Sequence, residues 1–156
     1  MAGNIDARLE ELGIELPRPQ QPRVAKILNA VIANGFLFVS GQITQWNGER
    51  KFLGKVGREF DLAQAQAAAR LSALNVLAQA RHALDGDLDR IERVVKLKGY
   101  INCTPDFTEI SEVVNGASEL MIEVFGEAGH HARTAIGAAV MPFDVAIEVE
   151  ARFLLR

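Results

Sequence analysis

Residues 93–125 read RVVKLKGYINCTPDFTEISEVVNGASELMIEVF and join a strand pattern to a helix pattern. The first part, Arg93–Cys103, predicts a half-buried strand, because apolar or small residues alternate with polar ones. The alternating residues are Val95, Leu97, Gly99 and Ile101. Thr104 is predicted to cap the following helix, with Pro105 at its first position. Its apolar residues have the spacing of a helix packed on a sheet: Ile110, Val113, Val114, Ala117, Leu120, Met121, Val124 and Phe125.

A second long helix is predicted upstream, from Leu62 to Leu84. This segment is rich in Ala, Leu and Gln and contains neither Gly nor Pro. Asp61 and Gln64 have the spacing of a capping box, and Asp85-Gly86 is a typical helix end. The residues expected on one helical stripe are Ala67, Leu71, Leu74, Ala78 and Arg81.

Two Asn-Gly dipeptides predict β-hairpins, because Asn and Gly accept positive φ at both central positions of a type I′ turn. Asn34-Gly35 lies between Ala30–Ile32 and Phe36–Val39. Asn47-Gly48 lies between Ile43–Trp46 and Lys51–Leu53.

Two further strands are predicted at Thr134–Val140 and Val145–Leu154, joined as a hairpin around Pro142-Phe143-Asp144. In the last strand apolar residues alternate with Glu148, Glu150 and Arg152, which predicts one buried and one polar face. The element order indicates an α+β fold, a mixed sheet of six strands with both long helices on one face. The other face is then either solvated or covered by further subunits, and its apolar residues favour oligomerisation.

The N-terminal part is predicted to be a short helix, Ile5–Leu12, with Asn4 as a possible cap. Residues 16–22, LPRPQQP, form an extended proline-rich arm that cannot be helical. We therefore interpret residues 1–156 as one domain, with residues 1–22 as an N-terminal extension.

Composition and charge disfavour two classes of function, nucleic-acid binding and membrane insertion. The formal net charge is −3, and Lys and Arg are scattered, so no basic patch for nucleic acid is expected. Cys103 is the only cysteine, which favours a reducing compartment. The first residues lack the apolar run of a signal peptide, and no stretch is apolar enough to span a membrane. We therefore expect a cytoplasmic protein without membrane contact.

Arg133 is the leading candidate for a binding residue, because it precedes a strand among small residues, where a guanidinium can grip a carboxylate. An ordinary surface ion pair remains the alternative at this stage. Glu148 and Glu150 share a strand face and can hold water if that face is near the arginine. His130 and His131 are interpreted as a solvated loop pair, since no third ligand has the spacing of a metal site. Cys103 is interpreted as an inert buried thiol.

Over nearly its whole length beyond Pro22, the chain resembles the RidA/YjgF family, through five segments in the right order. These segments are Asn34–Gln42, Pro105–Phe107, Val114-Asn115, His130–Ala135 and Ala146–Ala151. The resemblance implies a chorismate-mutase-like fold, a homotrimer, no cofactor and no metal. It also implies hydrolysis of 2-imino acids or their enamine tautomers to 2-keto acids and ammonia, as in a 2-iminobutanoate/2-iminopropanoate deaminase.

The resemblance also assigns roles to residues of this sequence. Arg133 matches the arginine that binds the substrate carboxylate, and Glu148 matches the glutamate that positions water. The remaining residues implied for substrate binding are Asn115, Ser40, Gly41 and Ala135, with the backbone N–H groups of Ser40 and Gly41 facing the substrate.

Three departures leave alternatives open. An insertion of roughly one helical turn separates Phe107 from Asn115, which resembles the longer-chain subgroup of the family. The tyrosine of the family's usual Gly-Pro-Tyr motif is replaced by Ile27, and its cysteine two residues after the arginine is Ala135. A non-catalytic protein that binds a keto acid or similar small carboxylate is therefore the second hypothesis. An RNA-directed inhibitor of translation is the weakest, because the chain is acidic and has one Trp and one Tyr for stacking.

The predicted hairpin also has a consequence for the site. It sets Glu148 opposite Gly137, about 13 Å along the sheet from Arg133. Because this is too far for both residues to touch one small imino acid, we expect a β-bulge, a bridging water or a site shared by two chains. The shared site is the interpretation we favour.

Overall fold

The computed structural model describes residues 3–156, and its centre is a five-stranded mixed sheet in the order β1-β2-β7-β5-β6. The strands are β1 Ala30–Ala33, β2 Phe36–Ile43, β3 Gln45–Trp46, β4 Glu49–Arg50, β5 Ile91–Asn102, β6 Ala132–Ala138 and β7 Ile147–Leu155. The α-helices are α1 Asn4–Glu11, α2 Leu62–Ala83 and α3 Ile110–Phe125. The 3-10 turns are Leu88–Arg90, Gly126–Gly129 and Pro142–Asp144. Strands β5 and β6 are parallel, whereas all other pairs are antiparallel.

Both Asn-Gly turns are confirmed. Asn34 and Gly35 have φ values of 49° and 76°, and Asn47 and Gly48 have 51° and 90°. The first turn joins β1 to β2 within the main sheet, but the second joins β3 to β4 in a separate two-stranded sheet. The expected six-stranded sheet is therefore wrong by one strand, because the second hairpin is too short and pairs only with itself.

The long helix α2 begins as predicted, with both bonds of the Asp61–Gln64 capping box present. Its buried stripe differs from the predicted one: Ala78 is buried, but Ala67 is exposed and Leu71 and Leu74 are only half-buried. The buried residues are mostly small and include Ala65, Ala69, Ser72, Val76 and Ala80. Small residues allow α2 to approach both the sheet and α3 closely, which outweighs the larger apolar area of the leucines.

Helix α3 begins later than predicted, at Ile110, after a turn closed by a 3.1 Å hydrogen bond from Phe107 N–H to the carbonyl of Thr104. Thr104 and Pro105 thus form part of a turn and not the helix cap. In β5 the alternation holds from Leu97 onward, but Val94 replaces Val95 on the buried face. A register shift between Val94 and Lys96 moves the side chains by one position.

The predicted hairpin between the last two strands is wrong, because β5 lies between β6 and β7. Strand β6 therefore joins the edge of the sheet beside β5, and the connection through Pro142–Asp144 crosses over to a non-neighbouring strand. The alternation of β7 is confirmed: Ile147, Val149, Ala151 and Phe153 are at most 2% exposed.

Both long helices cover one face of the sheet, as predicted, and this gives an α+β fold. The opposite face carries charged side chains beside apolar residues that are exposed, namely Val31, Phe38 and Ile136. Helix α1 packs at the end of the sheet, where the Asp89 carboxylate accepts hydrogen bonds from Asn4 and Ile5 N–H at 2.7 and 2.8 Å. Within residues 3–156, no helix has the length and apolarity needed to cross a membrane.

Candidate functional site

Arg133 lies on the edge strand β6, and its side chain extends over the helical face onto α3. Its Nη1 donates to Asn115 Oδ1 at 2.7 Å and to Ser118 Oγ at 3.2 Å. Its Nη2 donates to the Ser111 carbonyl at 3.0 Å. Asn115 and Ser118 are one turn apart on α3, so both face the same strand. The guanidinium is therefore held in place by neutral acceptors from a single helix.

The charge of Arg133 is not neutralised within the part of the chain that the structure describes. None of the ion pairs among residues 3–156 includes Arg133. The hydrogen bonds to α3 use both Nη1 protons and one Nη2 proton, which leaves the Nε–H and the second Nη2–H for another acceptor. An oriented, half-buried and permanently charged guanidinium is suited to a bidentate carboxylate.

His131 extends this cluster. Its Nδ1 lies 2.6 Å from the Gly129 carbonyl, and its Nε2 lies 2.9 Å from Ser118 Oγ. Burial lowers the pKa of His131, the bond to Gly129 raises it, and the charges of Arg133 and His130 lower it again. The interpretation of His131 as a solvated loop residue is therefore wrong, whereas His130 is exposed as expected.

Glu148 lies elsewhere, on the open face of β7 above the β2 bulge at residues 39–42. A Cβ added to Gly41 would come within 2.7 Å of Glu148 Cδ, so only glycine leaves room for this carboxyl. Burial raises the pKa of Glu148 above its usual value, and the charge of Glu150 raises it further. Two of the residues implied by the resemblance, Glu148 and Gly41, therefore lie side by side.

Ser40 does not offer its polar groups to a ligand in this arrangement. Its N–H donates to the Asn29 carbonyl at 2.8 Å, and its Oγ donates to the Leu28 carbonyl at 2.7 Å. The expectation that the Ser40 N–H faces the substrate is wrong, because this segment of β2 anchors the chain that precedes β1.

Arg133 and Glu148 do not meet within one chain. Arg133 pairs with Leu97, and Leu97 pairs with the buried Ala151 of β7, which places Arg133 on the helical face. Glu148 is three residues from Ala151 and therefore on the opposite face. The separation inferred from the hairpin is thus real, but its cause is different: an intervening strand and opposite faces of the sheet. Ala135 shares the face of Arg133 and packs against the core.

Sequence reasoning missed Ser111 and Ser118, which accept hydrogen bonds from Arg133, and the contact of His131 with Ser118. A signal for Ser118 was present, because residues 115 and 118 are spaced to share a helix face. The Ser111 carbonyl could not be predicted as an acceptor, because every residue has a backbone carbonyl. Among residues 3–156, no three His, Cys, Asp or Glu side chains are grouped to hold a metal ion.

The raised pKa of Glu148 predicts how stability depends on pH. A carboxyl whose folded pKa exceeds its unfolded value, here 4.5, stabilises fully below that value and loses the contribution as pH rises through the folded pKa. Glu148→Gln removes this loss, so the variant should gain stability relative to wild type between pH 4 and pH 8. Chemical denaturation at both pH values measures the difference, with Glu119→Gln on the exposed surface of α3 as the charge control. An equal difference at both pH values would contradict the prediction.

These features define a class of protein: a small α+β domain with two helices on one face of a mixed sheet and an unneutralised arginine at its edge strand. Residues 6–151 match the family model described as "YjgF/chorismate_mutase-like, putative endoribonuclease". The chain belongs to this family, the RidA/YjgF family, as its segments indicated. The chorismate-mutase-like fold is likewise confirmed.

Relatives cover nearly the whole chain. Protein TCP17 of Trypanosoma cruzi is 44% identical over 151 residues, which are 96% of this chain and 93% of the relative. Atu1372 of Agrobacterium tumefaciens, a crystal structure of unknown function, is 43% identical with a TM-score of 0.90, covering 97% of this chain and 92% of its own. A "putative endoribonuclease" of Shewanella oneidensis MR-1 is 31% identical with a TM-score of 0.93, covering 98% and 100%.

Proposed function

We propose that the protein binds a small carboxylate at Arg133 and hydrolyses 2-imino acids or their enamine tautomers, in the cytoplasm, to 2-keto acids and ammonia. The observation that supports this is the guanidinium itself. It is oriented by Asn115 and Ser118, it has no carboxylate partner among residues 3–156, and it retains donors for a planar anion. The rest of the mechanism is built around that anchor.

Hydrolysis requires only a positioned water and a group that moves protons. Water held by Glu148 attacks the imine carbon, and Glu148 takes the proton that the water loses. The C=N electron pair moves to nitrogen, which takes that proton back from Glu148, and the product is a neutral carbinolamine. Glu148 then takes the hydroxyl proton and passes it to the amino nitrogen, so that the C–N bond breaks, ammonia leaves and the keto group forms. Because burial raises the pKa of Glu148, its carboxylate is a stronger base than an ordinary one and accepts a proton from water more readily.

In this proposal the site is completed by a second subunit, because Glu148 lies on the opposite sheet face from Arg133 of its own chain. A homotrimer provides such sites, since a cyclic assembly joins one surface of each subunit to a different surface of the next. Arg133 lies on the edge strand β6, where a neighbouring subunit has access.

The trimer is a testable expectation. Light scattering of the dilute protein should give three times the 17.0 kDa mass of one chain. The apolar residues exposed on the open face supply the reason, so Phe38→Glu should weaken association. Val140→Glu, at an exposed apolar residue outside the strands, is the matched control and should leave the mass unchanged. A wild-type protein that stays monomeric would contradict the proposal.

A non-catalytic protein that binds a keto acid remains the second candidate. Ile27, at the position of the family tyrosine, is 52% exposed in an irregular segment before β1 and has no phenolic hydroxyl to offer. The weakest candidate is an RNA-directed inhibitor of translation, and the word endoribonuclease in the family description and for the Shewanella protein also refers to RNA. The net charge of −3 disfavours it.

The deciding experiment measures 2-keto acid release from imines generated freshly by an amino-acid oxidase, over a panel of side chains. Release of 2-keto acid above the spontaneous rate supports the imine-hydrolysing enzyme. Binding of 2-keto acids without accelerated release supports the second candidate. Parallel titration of RNA at two salt concentrations tests the third, because phosphate contacts give a steep dependence on salt.

A further inference from the structure

His131 and Ser118 form a directional chain of hydrogen bonds that ends on Arg133. A carbonyl oxygen only accepts, so His131 Nδ1 carries the proton that bonds to Gly129, and Nε2 of the neutral ring is an acceptor. Ser118 Oγ then donates to Nε2 at 2.9 Å and accepts from Arg133 Nη1 at 3.2 Å. The position of one proton on His131 therefore fixes the direction of every bond in the chain.

We propose that His131 is a positioning residue that couples carboxylate capture at Arg133 to the uptake of a proton. This inference rests on the proposed function, since it concerns the regulation of that same site. The free site holds His131 neutral, and the occupied site holds it protonated.

Protonation changes the cluster in two ways. Both ring nitrogens then donate, so Ser118 Oγ accepts from His131 as well as from Arg133, and its own proton must turn to another acceptor. A carboxylate beside Arg133 provides that acceptor. In addition, the imidazolium adds a second positive charge next to the anion. Both changes strengthen anion binding, and reciprocity requires the bound anion to favour the proton equally.

The surroundings of His131 agree with a neutral ring in the free protein. The charged groups that act on it are Arg133 and the adjacent His130, and both lower its pKa after the larger effect of burial. From β5, Arg93 bonds to the His130 carbonyl at 3.2 Å, and from α3 the contact is the neutral Ser118. A bound carboxylate offsets the charge of Arg133 and so removes one of the causes that keep the proton off.

The test is calorimetric titration of the full-length protein with pyruvate in buffers of different ionisation enthalpy, which reports protons taken up on binding. Wild type should take up protons, and its affinity should rise about fivefold from pH 8 to pH 5.5. His131→Gln keeps an acceptor for Ser118 but cannot titrate, so its proton uptake and pH dependence should disappear. His130→Gln is the matched control, because it removes an exposed neighbouring imidazole and leaves the bonds of His131 to Gly129 and Ser118, so proton uptake and the rise in affinity towards low pH should persist. Glu148 titrates in all three proteins, so the difference isolates His131.

A second measurement avoids mutation. In the wild type, NMR titration of the His131 ring should show its pKa rise when pyruvate saturates the site. This inference is overturned if proton uptake is unchanged in His131→Gln and pyruvate does not shift the pKa of the His131 ring. If pyruvate binding is nevertheless lost in Arg133→Ala, the proposed function still stands. Pyruvate binding that does not depend on Arg133, or no binding, overturns both.

Discussion

Arg133→Ala is expected to abolish imine hydrolysis and carboxylate binding while the fold stays intact. The substitution removes a charge-assisted bond that typically contributes about 1.5–3 kcal/mol, or roughly ten- to a hundredfold in affinity. Loss of substrate orientation adds to this in turnover. The fold should persist because Ser111 is exposed and Asn115 is only half-buried, so water can replace the guanidinium at both, and Ser118 Oγ keeps its bond to His131.

Two further variants sharpen this prediction. Arg133→Lys keeps the charge but not the planar fork, so it should also be impaired in kcat/KM. Arg93→Ala removes a neighbouring arginine whose one side-chain hydrogen bond within residues 3–156 goes to the His130 carbonyl, so it should change turnover little. Keto acid release and circular dichroism are measured on all three proteins. Unchanged turnover in Arg133→Ala would contradict the whole proposed mechanism.

Local chemistry explains which parts of the fold were predictable. The Asn34-Gly35 and Asn47-Gly48 turns depend on the φ values that these residues tolerate, so they follow from the dipeptides alone. The alternation of β7 and the Asp61 cap of α2 likewise depend on residues close in sequence. The order of the strands in the sheet does not depend on residues close in sequence. Nothing in residues 132–155 specifies that β5 is inserted between β6 and β7, and a hairpin is the default for strands joined by a short connection.

The candidate site likewise has a part that the sequence predicts and a part that it does not. Arg133 stood out because a cation precedes a run of small residues, but its partners on α3 depend on how that helix is rotated over β5 and β6. The apparent stripe of α2 failed for a related reason: the helix packs through alanines against two neighbours, so residue size, and not hydrophobicity, selects the buried side. The opposite faces of Arg133 and Glu148 became visible only with the register of all three strands.

That separation leads to the prediction with the clearest outcome. Inactive Arg133→Ala and Glu148→Gln proteins, dissociated, mixed in equal amounts and reassembled, should recover activity. If each site takes Arg133 from one chain and Glu148 from the next, about a quarter of the interfaces in random trimers carry both wild-type residues. Each variant reassembled alone should stay inactive, which controls for the procedure.

A second mixture separates the two geometries by magnitude. Wild type mixed equally with the double variant Arg133→Ala/Glu148→Gln should retain about a quarter of full activity if sites are shared, but about half if each chain holds its own site. Mass spectrometry of the intact trimers verifies that mixing occurred. Retention of half the activity, together with no recovery in the first mixture, would place both residues in the site of one chain. Glu148 and Arg133 of one chain would then have to meet although the register of β5, β6 and β7 places them on opposite faces of the sheet.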